Sequence, residues 1–324
     1  RGVTGKYLPK KMDAEEAGLM KDKSFAGNLA ALFTIVIWGT TFISTKVLLI
    51  DFQPVEILFF RFVLGFLALV LVCPQRLKGV SRGQEAVFAL AGLCGVSLYF
   101  LLENIALTFT MASNVGVIIS VAPFFTAMLS RGLGRGKSYK DAGEKLGAGF
   151  FAGFAVAMAG IAMISFNGSE LSLNPAGDIL AVLAAIVWAC YSLLTKKIGS
   201  FGYPVILTTR RTFFYGHLFM APALCFFDFE PDLGRFADRM NLLNILYLGL
   251  GASALCFVTW NVAVKVLGAV KTSVYIYMVP VITVVTSAAV LHERVTAVSA
   301  AGTVLAVAGL FISERDGRGR EGKG

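Results

Sequence analysis

The sequence predicts an all-α membrane protein of ten transmembrane helices, built as two inverted five-helix repeats. Three observations lead there: long apolar runs of helical length, a one-sided distribution of basic residues, and an internal duplication with an odd number of runs per copy. Of 324 residues, 56% are hydrophobic and 15% charged, with mean hydropathy +0.74; a soluble domain carries about 25% charged residues. Runs of about 18 or more apolar residues are candidate membrane-spanning helices. They fall at 25–49, 55–73, 86–108, 111–130, 146–166, 177–198, 204–227, 242–264, 270–291 and 297–313. A membrane β-barrel would instead alternate over segments of about ten residues.

Basic residues set the orientation. With the amino terminus in the cytoplasm and ten alternating spans, the cytoplasmic segments hold 22 Lys and Arg and the outer loops three: Arg235, Arg239 and Arg294. This is a strong positive-inside bias. It places both termini in the cytoplasm of a multi-pass cell-membrane protein. The first residues are polar and basic, and the first run is too long for a signal peptide. The net charge of +9 therefore belongs to the membrane's cytoplasmic face and does not indicate a nucleic-acid partner.

The duplication appears when the chain slides by 150 positions. Ala26–Arg61 then lies on Ala176–Arg211 without a gap, pairing Trp38 with Trp188, Lys46 with Lys196, Pro54 with Pro204 and Arg61 with Arg211. A second block, offset by 157, pairs Asn104 with Asn261 and Pro123 with Pro280; a third, offset by 149, pairs Gly153 with Gly302 and Gly160 with Gly309. Five spans per copy force the second copy to enter the membrane upside down, and inverted repeats are a signature of secondary transporters. The expected organisation is a polar cytoplasmic tail (1–23), a first repeat (24–166), a second, inverted repeat (167–313) and a basic cytoplasmic tail (314–324).

On "FTIVIWGTTFISTK", "AIVWACYSLLTKK", "MVPVITVVTSAAVLHERVT" and "AAGTVLAVAGLFIS", the chain resembles the EamA-type family of the drug/metabolite transporter superfamily. The resemblance covers roughly residues 25 to 313. It implies a ten-helix carrier, often an exporter of amino acids, other metabolites or drugs. One departure is that the acidic motif the family often places after its fourth span is replaced by "RGLGRGKSYKDAGEKLG".

Candidate transport residues follow from polarity inside apolar runs. Trp38 and Trp188 sit mid-span, away from the interfaces where Trp collects. Thr41, Ser44 and Tyr191 extend a polar stripe beside them. Asn104, Asn114, Asn261, Tyr275 and Tyr277 add donors and acceptors for a substrate cavity or for helix–helix contacts. Pro123 and Pro280 each remove a backbone donor and clash with the carbonyl four residues back, at Ile119 and Ile276. A carbonyl freed in lipid is tolerated only against protein or a water-filled cavity, so paired prolines suggest a gate or cavity wall. Lys46, Arg61 and Glu103 share an outer layer. Charges there are costly and either pair, snorkel or mark a pathway. Lys196 and Arg211 repeat the basic pair at the inner face, but the position matching Glu103 is Trp260. A carboxylate present in one half only suits gating or proton coupling.

Other signals carry less. "GLGRGKS" lacks the first glycine of a phosphate-binding loop, since Arg131 stands there. His292 and Glu293 have only His217 as a further histidine, so no metal site is expected. The five cysteines lack metal spacing and suit packing. Gly149 and Gly153 form a small-xxx-small packing stripe. No cofactor is expected. The reading is a secondary transporter, an exporter of small metabolites, amino acids or drugs by alternating access, driven by protons or by the substrate's own gradient. The alternative is a channel or membrane-embedded enzyme; neither an ATP-binding motif nor a catalytic signature such as HExxH or GxSxG occurs in the sequence.

Overall fold

The computed structural model describes residues 14–109, 112–133, 147–165, 175–227, 229–290 and 296–321, and the described residues contain helices and no strands. They form ten helical segments. α1 is Ala14–Leu48, α2 is Pro54–Val72 and α3 is Arg82–Phe109. α4 comprises Ala112–Ile119 and, after a two-residue break, Ala122–Leu133. α5 is Ala148–Ser165, α6 is Pro175–Gly199, α7 is Val205–Phe226 and α8 is Arg239–Leu267. α9 joins Ala269–Val274 to Met278–Val290 through a 3-10 turn at Tyr275–Tyr277, and α10 is Ala297–Glu321.

Five of the ten, α1, α2, α3, α6 and α8, are long and apolar enough to cross a membrane by length and composition. Three of the others differ for visible reasons. α7 carries Arg210, Arg211 and His217, and α4 and α9 are interrupted beside their prolines. Many large apolar side chains face outward, Leu71 and Phe226 among them. A bundle that turns such residues away from its core is built for lipid, and the chain is a multi-pass membrane protein.

α1 begins at Ala14 and α10 runs on to Glu321. Residues 134–146, most of the "RGLGRGKSYKDAGEKLG" stretch, and His292 and Glu293 lie outside the described residues.

The helices contact one another in an exchange pattern. α1 packs on α8 as α6 packs on α3; α2 packs on α8 as α7 packs on α3; α1 packs on α9 as α6 packs on α4. Replacing each helix by its partner five places along converts each contact into its mate. α2–α7 and α5–α10 map onto themselves. In α5–α10, a Cβ built on Gly153 would lie 2.7 Å from the Gly309 carbonyl, and one on Gly160 would lie 2.5 Å from the Gly302 carbonyl. The pairing of 153 with 309 and 160 with 302 makes the two helices antiparallel. Glycine lets their backbones touch, the usual device where packing rather than hydrophobicity must hold helices together in lipid.

α3 and α8 each contain a π-helical segment, Leu93–Leu98 and Tyr247–Leu255. Close packing accompanies both. A Cβ on Gly92 would meet the Thr212 carbonyl of α7 at 2.6 Å, and one on Gly249 would meet the Arg61 carbonyl of α2 at 3.2 Å. A π segment widens the helix and releases backbone groups from the regular ladder, and side chains use them: Trp38 Nε1 donates to the Ala252 carbonyl at 2.9 Å.

Candidate functional site

The center of the bundle is aromatic. Trp38 meets Trp188 edge to face with ring centroids 5.2 Å apart and lies 5.1 Å from Trp260. Tyr99 and Tyr191 close on Trp188 at 4.8 and 5.1 Å. Phe257 sits beneath, packed on Trp38, Phe62 and Phe213. Trp38 satisfies its indole N–H on Ala252, but Trp188 Nε1 and Trp260 Nε1 are buried without a hydrogen-bond partner.

Against this cluster lies a cavity of about 50 Å³. Its lining includes Trp38, Thr41, Phe42, Arg61, Tyr99, Phe100, Glu103 and Trp188. The rest comes from the two broken helices: Gly116, Ile119 and Ser120 of α4, and Ile276 and Val279 of α9. In α4 the chain turns at Ser120 and Val121, just before Pro123, and Val121 N–H falls back on the Ile118 carbonyl at 3.1 Å. In α9 the 3-10 turn ends three residues before Pro280. Each proline thus lies next to a helix interruption whose residues face the cavity. Ile119 and Ile276, four residues before the prolines, are themselves in its wall.

Arg61 and Glu103 are the charged groups of the wall. Arg61 is 3% and Glu103 8% exposed, so neither reaches out to solvent. Arg61 donates from Nε to Ser253 Oγ at 3.0 Å, and its guanidinium lies 4.4 Å over the Phe100 ring. That arrangement provides a hydrogen bond and a cation–π contact to hold a buried cation. Glu103 Oε2 is buried with no hydrogen-bond partner. Lys46 is exposed on α1 and is not part of the cavity wall.

The other polar residues sort by their bonds. Asn104 Nδ2 donates to the Pro54 carbonyl at 3.1 Å, tying α3 to α2. Its mate Asn261 donates to Thr209 Oγ1 at 2.9 Å and accepts from the Tyr191 hydroxyl at 2.9 Å, tying α8 to α7 and α6. Tyr275 donates to Asn28 Oδ1 at 3.1 Å, Ser44 is buried, and the Tyr277 hydroxyl is buried without a hydrogen-bond partner. Lys196 is half-buried on α6. Asn114 lies on α4, with its side chain outside the described residues.

Two ion pairs bind the ends of the bundle, and both bring in acids the sequence did not single out. Arg211 of α7 bonds Glu85 of α3 at 2.5 and 3.1 Å, and the Tyr215 hydroxyl donates to the same carboxylate at 2.7 Å. The arginine matching Arg61 therefore has its own carboxylate, drawn from a different register than Glu103. At the opposite end, Arg235 forks onto buried Glu56 at 2.9 and 2.7 Å, joining the α7–α8 connection to the start of α2. Glu56 also accepts from the backbone N–H groups of Gln53 and Glu230 at 2.7 and 3.2 Å. The hydrogen bonds to Glu56 hold the Arg235 guanidinium above its ordinary pKa. Beside this pair opens a recess of about 640 Å³, lined by Asp51, Gln53, Glu56, Thr108 and Glu230 among others. At the Arg211 end, the hollow between Thr195, Tyr203, Thr208 and Asn261 is only about 10 Å³.

The model of the EamA-like transporter family matches this chain twice, over residues 25–166 and over 175–314. An uncharacterized transporter of Archaeoglobus fulgidus is 27% identical, covering 88% of this chain and 96% of the relative. A probable terminal-alkyne amino-acid exporter of Streptantibioticus cattleyicolor is 25% identical over 90% and 94% of the two chains. A probable amino-acid metabolite efflux pump of Escherichia coli is 26% identical over 87% and 93%. A solved crystal structure has the same fold with a TM-score of 0.68 at 19% identity, covering 91% of this chain and 98% of that one.

Proposed function

Because the chain belongs to the EamA-like transporter family, we propose that it is a secondary carrier that exports small metabolites, amino acids among them, across the cell membrane. It is a carrier and not an enzyme. Both termini are cytoplasmic, and the Arg235 end of the bundle faces outward. The two halves are inverted five-helix repeats that exchange roles during alternating access. The chemistry of the cargo comes from relatives named as amino-acid exporters and efflux pumps.

The cavity's position carries this reading. Its wall takes α1, α2, α3 and α4 from one half and α6 and α9 from the other, so relative movement of the halves opens or closes it. The exchange pattern of contacts and the self-mating of Trp38 with Trp188 support an axis relating the halves. The unequal hollows at the two ends fit a form closed at the Arg211 end. A cavity of about 50 Å³ is far below the 300–1,000 Å³ or so of drug-sized ligand sites, so cargo enters only after the halves part.

The test is counterflow in liposomes carrying the purified protein. A metabolite on the far side should accelerate uptake of its labelled counterpart. A channel shows no such trans-stimulation. Repeating the assay with an imposed pH gradient separates proton drive from exchange down the substrate's own gradient.

A further inference from the structure

We propose that Glu103 and Arg61 are the two jaws of a zwitterion clamp, so that the cargo is an α-amino acid or a solute of the same charge pattern. The substrate ammonium binds Glu103 Oε2, and the substrate carboxylate binds the Arg61 guanidinium. This inference rests on the carrier reading above and names its substrate class.

The Tyr99 side chain hydrogen-bonds the Glu103 carboxyl group, but its Oε2 is a buried acceptor that finds no donor, and such an atom is costly unless something else fills its place. Among the described residues no cation bonds it. Arg61 is near enough to act on it electrostatically, but its hydrogen bond goes from Nε to Ser253 Oγ and its plane rests on Phe100. The side chains line one cavity without joining. A direct ion pair would have neutralised both charges and closed the space. Held apart, they form a fixed dipole with a gap.

Charge balance selects the ligand. With Glu103 ionised, the empty clamp carries one positive and one negative group. A zwitterion leaves the loaded site as neutral as the empty one while supplying a partner for each group. A simple amine would leave Arg61 unanswered, and a simple acid would leave Glu103 unanswered; an uncompensated charge in a dry interior is penalised heavily. A proton on Glu103 alone has the same defect as the amine. Trp38, Trp188 and Tyr99 complete the wall. Their faces stabilise an ammonium and accept an apolar side chain. The space accommodates a few waters at most, so loading requires α4 and α9 to yield, and each is interrupted at the residues lining the cavity.

The wild-type protein gives the first test, with no substitution needed. Liposomes containing it are loaded with each of the twenty standard amino acids, and counterflow of the labelled amino acid is recorded. The best amino acid is then challenged with its N-acetyl and its decarboxylated derivatives. The expected result is amino-acid counterflow, with each derivative competing about 100-fold or more less well, as when a polar site loses its partner. Equal competition by either derivative overturns the clamp. Glu103→Gln should abolish amino-acid counterflow and Glu103→Asp should retain part of it; undiminished counterflow in Glu103→Gln overturns the clamp as well. If other metabolites exchange but no amino acid does, the clamp falls and the carrier stands. If no solute in a broad metabolite panel exchanges, the carrier reading falls and the clamp with it.

Discussion

Trp38 and Trp188 stand 150 positions apart in the chain and touch edge to face, ring centroid to ring centroid, at 5.2 Å. A residue that meets its own duplicate lies at the place where the two copies meet. The aromatic cluster and the cavity both gather there.

The two tryptophans should respond differently to Phe. Trp38 donates to the Ala252 carbonyl inside a π segment, whereas Trp188 Nε1 has no partner. Trp38→Phe removes a bonded N–H and takes a donor from a buried carbonyl, at about 1–3 kcal/mol. Trp188→Phe loses ring volume but no hydrogen bond. Unfolding in detergent should show the larger loss for Trp38→Phe; the reverse order would contradict the bonding described.

Gly160→Leu should be among the most damaging apolar substitutions. Even a Cβ there would sit 2.5 Å from backbone atoms of Ala306 and Gly302, and backbone cannot step aside as a flexible side chain can. Overpacking typically costs about 1–3 kcal/mol, and a backbone clash should exceed that range. Gly83→Leu, where a Cβ meets open space, is the matched control, and the comparison is thermal stability in detergent.

Glu56 and Arg235 should contribute more to stability than Glu85 and Arg211. Glu56 is fully buried and its partner mostly so, while the Arg211 and Glu85 side chains are 36% and 26% exposed. Arg235→Ala leaves a buried carboxylate with only two backbone donors, at roughly 3 kcal/mol. For the more exposed Arg211–Glu85 pair, a double-mutant cycle should return about 1 kcal/mol or less. The raised Arg235 pKa means the cation's share of the pair is fully present below its unfolded-state value and is lost only as pH rises through the still higher folded-state value. Between pH 6 and 9, about the usual working range, deprotonation of Arg235 should therefore not loosen the pair, which equal stability of the wild type across that window relative to Arg235→Ala would check.

Binding of a zwitterion should weaken as acid protonates Glu103, because a neutral carboxyl no longer attracts an ammonium. The groups facing Glu103 are Arg61 and Tyr99, with Cys256 near Arg61; none of these loses a positive charge on acidification. Titrating amino-acid binding by quenching of tryptophan fluorescence at several pH values should show affinity falling at low pH in the wild type. In Glu103→Asp the same fall should persist with its midpoint displaced. A flat profile in the wild type would remove Glu103 from the binding step.

That the chain is a multi-pass helical membrane protein was legible because apolar length acts residue by residue. The break positions were partly legible: Pro123 and Pro280 announce themselves, and the interruptions lie beside them. The π segments of α3 and α8 were not, since they answer to close approach by α7 and α2 at Gly92 and Gly249. The same holds for partners. Depth along a helix grouped Lys46 with Arg61 and Glu103, but depth says nothing of azimuth, and Lys46 points out while the other two point in. Glu85 and Glu56 gave no signal because a carboxylate at the end of an apolar run is ordinary; its partner lies more than a hundred residues away.

The sequence by itself determined that the protein lives in a membrane, that its halves duplicate one another, and which family it joins, because these depend on composition and on order along the chain. The tertiary structure alone decided which acid answers which base. An ion pair, an unanswered carboxylate oxygen or a ring stack is a matter of a few ångströms between helices, and the chain's order does not record how those helices are rotated about their own axes.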